Sequence, residues 1–438
     1  MYNMWVNYKD YFKDKKIAIV GLGPHGEMLA DIKFLLKNKA QVSLYDMRSE
    51  ERVSKYVLDL PVGGCRKFSF GKIDGDELLD EDIIILSPEV SKKSNFLKKA
   101  SSAGKQIEFI DTMFLKLIPP ITLIGVIGSY GKSVVSHLIY SVLKKAFALN
   151  KDQGLFFIDS DLSGGTLNNL KKINKGDVVI CRIPEYLMEY YHKLRISPHV
   201  AVITSVVPFD ILEFQTYNNF VIASDEVIDA IKKHSKNPSK AKILRTYANS
   251  IPAEWNMAIN NIHDKENAAL VLQTAELFKV STDIVREVLQ NFTGLKGHIE
   301  LVKRVGGVEY YNDTNSVHPL STLNAIKTLS SNKNLILIMG GAYTGYDYDH
   351  LIDKISNYVS TIILLPGSGT VGLRSRIDAL KDVTVLQALD LEKAVELACD
   401  NAQKGEIVLF SPSFEAVGVD LSKKERGERF VRAVRSLS

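Results

Sequence analysis

The sequence predicts an α/β protein of three domains, each built on a sheet that is mostly parallel. Short apolar runs rich in β-branched residues alternate with segments of helical periodicity along the chain, which is typical of parallel sheets covered on both faces. Glycine-rich turns follow several of these runs, where strands of such sheets end and ligands bind. The 438 residues allow about two to four domains. Turn signals that interrupt the alternation predict boundaries that give domains over residues 1–117, 118–297 and 298–438.

Composition and charge exclude several classes of protein. The net charge of +4 comes from 55 basic and 51 acidic residues, and without a dense basic tract this balance does not favour nucleic-acid binding. Cys65, Cys181 and Cys399 lack metal-ligand spacing and are expected to be reduced thiols. The first residues contain no apolar signal region, and no apolar run approaches the roughly 20 residues of a membrane span. We therefore expect a cytoplasmic protein that binds neither nucleic acid nor a membrane.

Residues 121–143 predict a strand, a glycine-rich turn and a helix in succession. This is the layout of a P-loop, in which backbone N–H groups and the helix N-terminus surround phosphate oxygens. Lys132 would reach the outer phosphates, and the Ser133 hydroxyl would bind Mg²⁺. The spacing is G-x-x-G-x-x-G-K-S, because its first glycine, Gly125, stands one residue early; an ordinary strand-to-helix turn is the alternative. The predicted nucleotide-binding residues are Gly128, Ser129, Tyr130, Gly131, Lys132, Ser133 and Val134.

The first domain opens with a nucleotide-binding pattern of a different kind. An apolar strand over 17–20 leads into the turn Gly21-Leu22-Gly23-Pro24-His25-Gly26, and a second strand over 41–45 ends at Asp46. A G-x-G-x-x-G turn with an acid closing the next strand indicates a Rossmann-like fold, in which the acid holds a ribose. No second dinucleotide half follows. A UDP-binding or a vestigial domain gives the same pattern as NAD binding, so these alternatives stay open.

The remaining elements continue the alternation. In the first domain we predict strands over 83–86 and 106–110, with a helix over 95–103. The central domain is predicted to have strands over 155–158, 178–182 and 200–206 and helices over 219–234 and 264–278. In the third domain we predict strands over 299–305, 308–311, 335–339, 361–365, 383–386 and 407–410, and a final helix over 425–437. Gly340-Gly341, Gly367-Ser368-Gly369 and Ser411-Pro412 end three of these strands.

Motifs spread over all three domains resemble those of the Mur ligases, most closely the branch that adds D-glutamate. They are VGLGPHG at 20–26, SPE at 87–89, GVIGSYGKS at 125–133, HDKEN at 263–267, GLKGHIELV at 294–302, YYNDTNSVHP at 310–319, MGGAYTGYD at 339–347 and SPSFEAVGVDLSKKERGERF at 411–430. Their order and spacing, and the total length, are similar to those of the family.

The resemblance implies an ATP-dependent acid–amino-acid ligase of peptidoglycan precursor synthesis. The Rossmann-like N-terminal domain would hold the UDP of the precursor. The P-loop ATPase-like central domain would bind ATP and Mg²⁺, and the Rossmann-like C-terminal domain would bring in the amino acid. ATP would phosphorylate the carboxylate of UDP-N-acetylmuramoyl-L-alanine, and the amine of D-glutamate would attack the acyl phosphate to give an amide, ADP and phosphate. The expected protein is a cytoplasmic monomer.

The resemblance also implies roles for particular residues. Lys132, His298 and Asp313 would be catalytic, and Asn267 and Asp313 would join the P-loop in binding ATP. The implied UDP-binding residues are Gly21, Leu22, Gly23, Pro24, His25, Asp46 and Ser87. The nominated metal ligands are Ser133, Glu185 and Asp210, with Asp161 as a further acid.

Several family residues are replaced in this sequence. Ser129-Tyr130 stands for Thr-Asn, Arg182-Ile183-Pro184-Glu185 for Glu-x-Ser-Ser with its Mg²⁺-binding glutamate, Asp210 for a histidine, Ser224 for a lysine that is carbamoylated, Ile299 for an arginine, Asn315 and Thr344 for lysines, and Ala416 for a serine. Two hypotheses follow: a working ligase with rebuilt metal and amino-acid sites, or a degenerate homologue that binds a nucleotide or a partner without ligase activity.

Overall fold

The computed structural model of the chain describes residues 7–23, 26–88, 90, 94–148, 153–159, 165–206, 212–234, 239–255, 257, 262–292, 294–330, 332–343, 347–416 and 423–437, with the backbone alone at 185, 186, 234 and 262–264. The chain divides into two compact units. Unit 1 is Met1–Asn256 with Ile262–Gln290, and unit 2 is Met257–Asn261 with Asn291–Ser438. None of the helices in these described ranges has the length and hydrophobicity that crossing a bilayer requires.

Unit 1 begins with a parallel five-stranded sheet. Its elements are α1 (Tyr8–Phe12), β1 (Lys16–Val20), α2 (Leu29–Lys37), β2 (Gln41–Asp46), α3 (Glu50–Val57), β3 (Lys67–Phe70), β4 (Ile83–Leu86), α4 (Asn95–Ser102), β5 (Gln106–Phe109) and α5 (Ile110–Leu117). The strand order is β3-β2-β1-β4-β5, the order of a Rossmann half-domain. The order reverses beside β1, so the glycine turn after Val20 lies at the switch point where such sheets bind ligands.

The second sheet of unit 1 has six parallel strands. Its elements are β6 (Thr122–Ile127), α6 (Lys132–Phe147), β7 (Leu155–Asp159), β8 (Val178–Arg182), α7 (Glu185–Lys193), β9 (Val200–Ile203), β10 (Phe220–Ser224), α8 (Asp225–His234), β11 (Lys242–Thr246), α9 (Ile262–Leu277) and α10 (Thr282–Asn291). The order β11-β10-β9-β6-β8-β7 places β6 between β8 and β9. The segment after β6 is therefore flanked by the carboxyl ends of two neighbouring strands.

Unit 2 contains a six-stranded mixed sheet. Its elements are β12 (Glu300–Val305), β13 (Val308–Asn312), α11 (Pro319–Leu329), β14 (Leu335–Met339), α12 (Asp349–Ile355), β15 (Val359–Leu364), α13 (Ser368–Asp378), β16 (Thr384–Gln387), α14 (Leu391–Asn401), β17 (Ile407–Phe410) and α15 (Lys423–Ser436). The order is β12-β13-β17-β14-β15-β16. Only the described pair β12–β13 is antiparallel, and separate apolar clusters line the two faces.

The predicted helix over 219–234 is wrong in its first third. Residues Phe220–Ser224 form β10, which pairs with β9 in the register Val221↔Ala201. The β-branched run is buried between β9 and β11, and this burial outweighs the helical periodicity that the sequence suggested. The helix begins only at Asp225, where the Ser224 hydroxyl accepts the Val227 N–H (3.4 Å). The short strands β3 and β11, at the sheet edges, were not predicted from the sequence.

One buried carboxylate joins the two sheets of unit 1. Asp31, in α2, accepts the backbone N–H groups of Gly165 (2.7 Å) and Leu167 (2.8 Å), at the start of a 3₁₀ turn between β7 and β8. Burial raises the pKa of Asp31 to about 6, although the two N–H bonds lower it. Burial therefore disfavours the ionised form of the Asp31 carboxyl group, while the contact gives two backbone N–H donors an acceptor.

Replacing Asp31 by Ala should destabilise unit 1, because it leaves the N–H groups of Gly165 and Leu167 without this acceptor. Each buried unsatisfied group costs about 1–3 kcal/mol, so we expect the free energy of unfolding to fall by about 2 kcal/mol or more. Urea unfolding followed by tryptophan fluorescence measures this change. Asp31→Asn retains an acceptor oxygen and should lose less. Equal urea midpoints for wild type and Asp31→Ala would contradict this account.

Candidate functional site

The turn after β6 has the backbone that a P-loop requires. Gly128 and Gly131 adopt φ angles of +143° and +79°, in the region that favours glycine. A Cβ at Gly128 would stand 2.2 Å from Thr204 Oγ1, so a side chain does not fit there. The turn delivers the chain into α6, which begins at Lys132, and the N-terminus of this helix points its N–H groups toward the loop.

Two hydroxyl residues at the end of β9 brace this loop. The Ser129 N–H donates to Ser205 Oγ (2.6 Å). Thr204 Oγ1 donates to the carbonyl oxygens of Ile127 (3.2 Å) and Tyr130. Hydrogen bonds at both ends of the loop therefore fix its backbone against the end of the neighbouring strand. No role was predicted for these two residues from the sequence.

The side chains predicted to contact the nucleotide lie on or beside the loop. Lys132 Nζ donates to the carbonyl of Gly128 and lies 3.4 Å from that of Ser129. Ser133 and Val134 are the second and third residues of α6. Asn267, in α9, lies next to Gly131, since a Cβ built there would be 3.0 Å from its Oδ1.

Tyr130 is half-buried beside the loop. Burial raises the pKa of its hydroxyl, and the charges of Glu266 and Glu226 add to the effect. The hydroxyl is therefore protonated at neutral pH. An aromatic ring with an O–H donor at this position could contact a base or a phosphate of the ligand.

The described residues do not supply a carboxylate set for Mg²⁺. No group of three or more His, Cys, Asp and Glu side chains suited to a metal ion occurs among them. Asp161 and Asp210 lie outside the described residues, as does the side chain of Glu185, the first residue of α7. Ser133 is thus the one nominated ligand whose surroundings can be described, and the metal site stays a prediction.

Replacing Lys132 by Ala should weaken ADP binding at least tenfold, because the loop then loses the cation nearest to the phosphates. Isothermal titration calorimetry with ADP measures the affinity. Lys145→Ala is the matched control: it removes a lysine from the last turn of the same helix, where Lys145 forms an exposed pair with Glu287. We expect its affinity to remain within twofold of wild type. Equal ADP affinities for Lys132→Ala and wild type would exclude this loop as the phosphate site.

The glycine turn after β1 forms a second predicted nucleotide site within unit 1. The Gly21 N–H donates to Tyr45 O (2.7 Å), and the Ser87 N–H donates to Val20 O (2.9 Å). Gly21, Leu22, Gly23, Asp46 and Ser87 are therefore brought together at the carboxyl edge of β1, β2 and β4. Pro24 and His25 lie outside the described residues.

The carboxylate of Asp46 is held by protein groups. It accepts the Leu22 N–H (3.1 Å), the Arg48 N–H (2.9 Å) and two bonds from the Arg48 guanidinium. Burial alone would raise the pKa of Asp46, but these hydrogen bonds outweigh it and lower the pKa. The guanidinium also donates to Gly23 O (3.0 Å), so a cation that the sequence did not reveal lies against the glycine turn.

In unit 2, Asp313 follows β13 and is completely buried. It accepts bonds from Ser411 Oγ (2.7 Å) and the Ile299 N–H (3.2 Å), and Ser411 Oγ also pairs with Thr322 Oγ1 (3.0 Å). Burial raises the pKa of Asp313 to about 7, although its hydrogen bonds lower it. The carboxyl group therefore titrates near neutral pH.

The predicted catalytic histidine lies in a turn that leads to the same carboxylate. The His298 N–H donates to Leu295 O (2.9 Å), and Ile299, which follows, donates its own N–H to Asp313. Ile299 has a φ of +48°, an unusual conformation for a β-branched residue. Such backbone strain is common at functional sites, which supports a ligand-binding role for this end of unit 2.

The stability of unit 2 should depend on pH through Asp313. Because the folded-state pKa is raised from 3.8 to about 7, the neutral form favours folding, and this contribution is complete below about pH 4 and lost as pH rises through about 7. Asp313→Asn should lack this dependence. Its unfolding free energy relative to wild type should rise between these pH values by up to about 1.4 kcal/mol per unit. Thermal unfolding across pH 4–8 measures it, with the exposed Asp353→Asn as control. A pH-independent difference would refute the assignment.

Taken together, a P-loop turn at the switch point of one parallel sheet and a Rossmann-like half-domain define an α/β protein with two folds that are typical of nucleotide-binding proteins. Two family models match the chain: "Mur ligase MurD-like, N-terminal domain" over residues 15–109 and "Mur ligase, glutamate ligase domain" over residues 297–414. Both ends of the chain thus match models of Mur ligase domains.

Relatives of nearly the same length agree with these matches. The chain is 26% identical to a UDP-N-acetylmuramoylalanine–D-glutamate ligase of a Roseiflexus species, over 97% of this chain and 99% of the relative. It is 28% identical to the enzyme of the same name from Borreliella burgdorferi, over 98% and 99%.

Solved structures share the fold. A murein peptide ligase of Psychrobacter arcticus matches with a TM-score of 0.57 at 14% identity, over 97% of this chain and 99% of that one. The UDP-N-acetylmuramate-alanine ligase of Thermotoga maritima matches with a TM-score of 0.53 at 16% identity, over 96% and 99%. At these identities the likeness concerns the fold.

Proposed function

We propose that the protein is an ATP-dependent ligase that joins a UDP-linked muramoyl carboxylate to the amine of an amino acid. The observation that carries the proposal is the braced P-loop in a chain whose two ends match models of Mur ligase domains. Relatives that align over their whole length are named UDP-N-acetylmuramoylalanine–D-glutamate ligases, so we propose UDP-N-acetylmuramoyl-L-alanine and D-glutamate as the substrates. Because the reaction consumes ATP, we expect it to take place in the cytoplasm.

In the proposed reaction the γ-phosphoryl group of ATP passes to a carboxylate oxygen of the muramoyl substrate, and ADP leaves. The amine of the amino acid then attacks the acyl carbon, phosphate leaves, and an amide bond forms. The loop N–H groups and Lys132 would hold the phosphates, since donors placed in advance stabilise the charge of the transferring group.

The first glycine turn fits a uridine nucleotide better than a dinucleotide. Asp46, which would hold a ribose hydroxyl in a dinucleotide fold, already accepts three kinds of donor from Leu22 and Arg48. The Arg48 guanidinium beside Gly23 instead places positive charge at the turn, which suits a diphosphate. We therefore propose that UDP rather than NAD binds there.

The alternative is a family member that binds nucleotide without ligating. One observation favours it: Ser224, which stands for the lysine that the family carbamoylates, lies at the end of β10 and caps α8. Under this alternative the P-loop would still bind ADP. Formation of the amide product therefore distinguishes the two functions, whereas the affinity for ADP does not.

Phosphate release and product formation test the proposal. The purified chain is incubated with ATP, MgCl₂, UDP-N-acetylmuramoyl-L-alanine and D-glutamate, and reactions that lack one component are the controls. We expect phosphate and a new UDP-linked amide in equal amounts, both requiring all components and both abolished in Lys132→Ala. ADP binding without amide formation would support the alternative. Tighter binding of NAD than of UDP would contradict the role of the first turn.

A further inference from the structure

A buried ion pair lies one strand away from the P-loop. Arg182 ends β8 and Asp159 ends β7, and the guanidinium contacts one carboxylate oxygen, Asp159 Oδ1, through Nε (2.6 Å) and an Nη atom (2.5 Å). The side chains are only 8% and 12% exposed. Burying two charges costs several kcal/mol per ion before their attraction is counted. Fold stability alone is therefore a weak reason for placing this pair here.

The strand register aligns the pair with the start of the P-loop. Arg182 is the register partner of Val126 in β6 and of Asp159 in β7. The N–H of Ile183 donates to Val126 O (2.9 Å), two residues before Gly128. Arg182 therefore stands at the carboxyl edge of the sheet, beside the strand that leads into the phosphate-binding turn.

The pair also lies on the face of the sheet that α6 covers. The rings of Tyr140, in α6, and Phe157, in β7, stack with centroids 5.6 Å apart. Asp159 follows Phe157 by two residues and so shares its face. Because α6 runs antiparallel to the strands, residues closer to the carboxyl end of β7 than Phe157 lie beside residues of α6 that are closer to Lys132 than Tyr140. The Arg182–Asp159 pair is thus level with the first turns of α6.

We propose that Arg182 is a phosphate-binding residue of the nucleotide site, oriented by Asp159. This inference rests on the proposed nucleotide binding at the P-loop. A guanidinium has five N–H donors in a planar fork that matches phosphate oxygens, and Asp159 fixes that plane through one oxygen. Arg182 thus brings a guanidinium to the same carboxyl edge of the sheet at which the P-loop and Lys132 lie.

The test compares ADP with AMP, because a cation that faces the outer phosphate should affect ADP more. Removing Arg182 alone would leave Asp159 buried and charged, so the main variant is Arg182→Met with Asp159→Leu, since apolar replacement of a whole buried pair is often neutral for folding. The matched control is Arg66→Met with Glu81→Leu, which removes another ion pair, between the partly exposed Arg66 and the buried Glu81, in the first sheet's domain. Arg182→Lys keeps the charge without the fork. Circular dichroism and melting temperature establish that each full-length variant is folded.

We expect the Arg182/Asp159 double variant to lose at least tenfold of the wild-type preference for ADP over AMP in calorimetry. The Arg66/Glu81 variant should keep this preference, and Arg182→Lys should fall between. If the pair were merely structural, the double variant would lose affinity for ADP and AMP equally. An unchanged ratio of ADP to AMP affinity in a folded double variant therefore overturns the proposal. If the double variant does not fold, the same result in Arg182→Lys overturns it. Failure of the wild type to bind ADP overturns the P-loop function itself, so the two failures are distinguishable.

Discussion

The bracing of the P-loop by the end of β9 is the interaction on which the proposed nucleotide site depends. A glycine turn alone can adopt many conformations, and the hydroxyl groups of Thr204 and Ser205 select one of them by binding its backbone at both ends. Gly128 is required because the same hydroxyl of Thr204 occupies the space of a side chain. The strand order that sets β9 beside β6 is therefore what converts a local motif into an ordered binding loop.

Ion pairs and buried acids lie at the carboxyl edges of all three sheets, where sheets of this kind bind ligands. Asp46 and Arg48 lie at the first, Asp159 and Arg182 at the second, and the buried Asp313 at the third. In each case a carboxylate is held by guanidinium, hydroxyl or backbone donors. A polar group whose position is fixed in advance needs little reorganisation when a ligand arrives, which is the condition under which electrostatic binding is strongest. This chain thus has its own arrangement of charged groups at the edges of its sheets.

The sequence predicted the sheets and the P-loop because both depend on local patterns. Apolar β-branched runs and the glycine-Lys-Ser turn identify themselves over a few residues, and the confirmed strands β1, β4, β8 and β17 are of this kind. The helix expected from residue 219 failed because the pairing of β10 with β9 is a non-local contact. No role was predicted for Arg48, Thr204 or Ser205, and Arg182 was noted only as part of the segment that replaces the family's Glu-x-Ser-Ser. The reason is the same: their roles depend on which strands are neighbours. The acids proposed at 161 and 210 lie outside the described residues.

Hydrogen–deuterium exchange with and without ADP tests most directly whether the braced loop is the nucleotide site. If ADP binds as proposed, the amides of residues 128–134 should exchange more slowly in its presence, since phosphate oxygens would accept their hydrogen bonds, and residues 204 and 205 should be protected with them. The Lys132→Ala variant should lose this protection at the same ADP concentration. Protection confined to residues 21–26, or none in the loop at saturating ADP, would contradict the account.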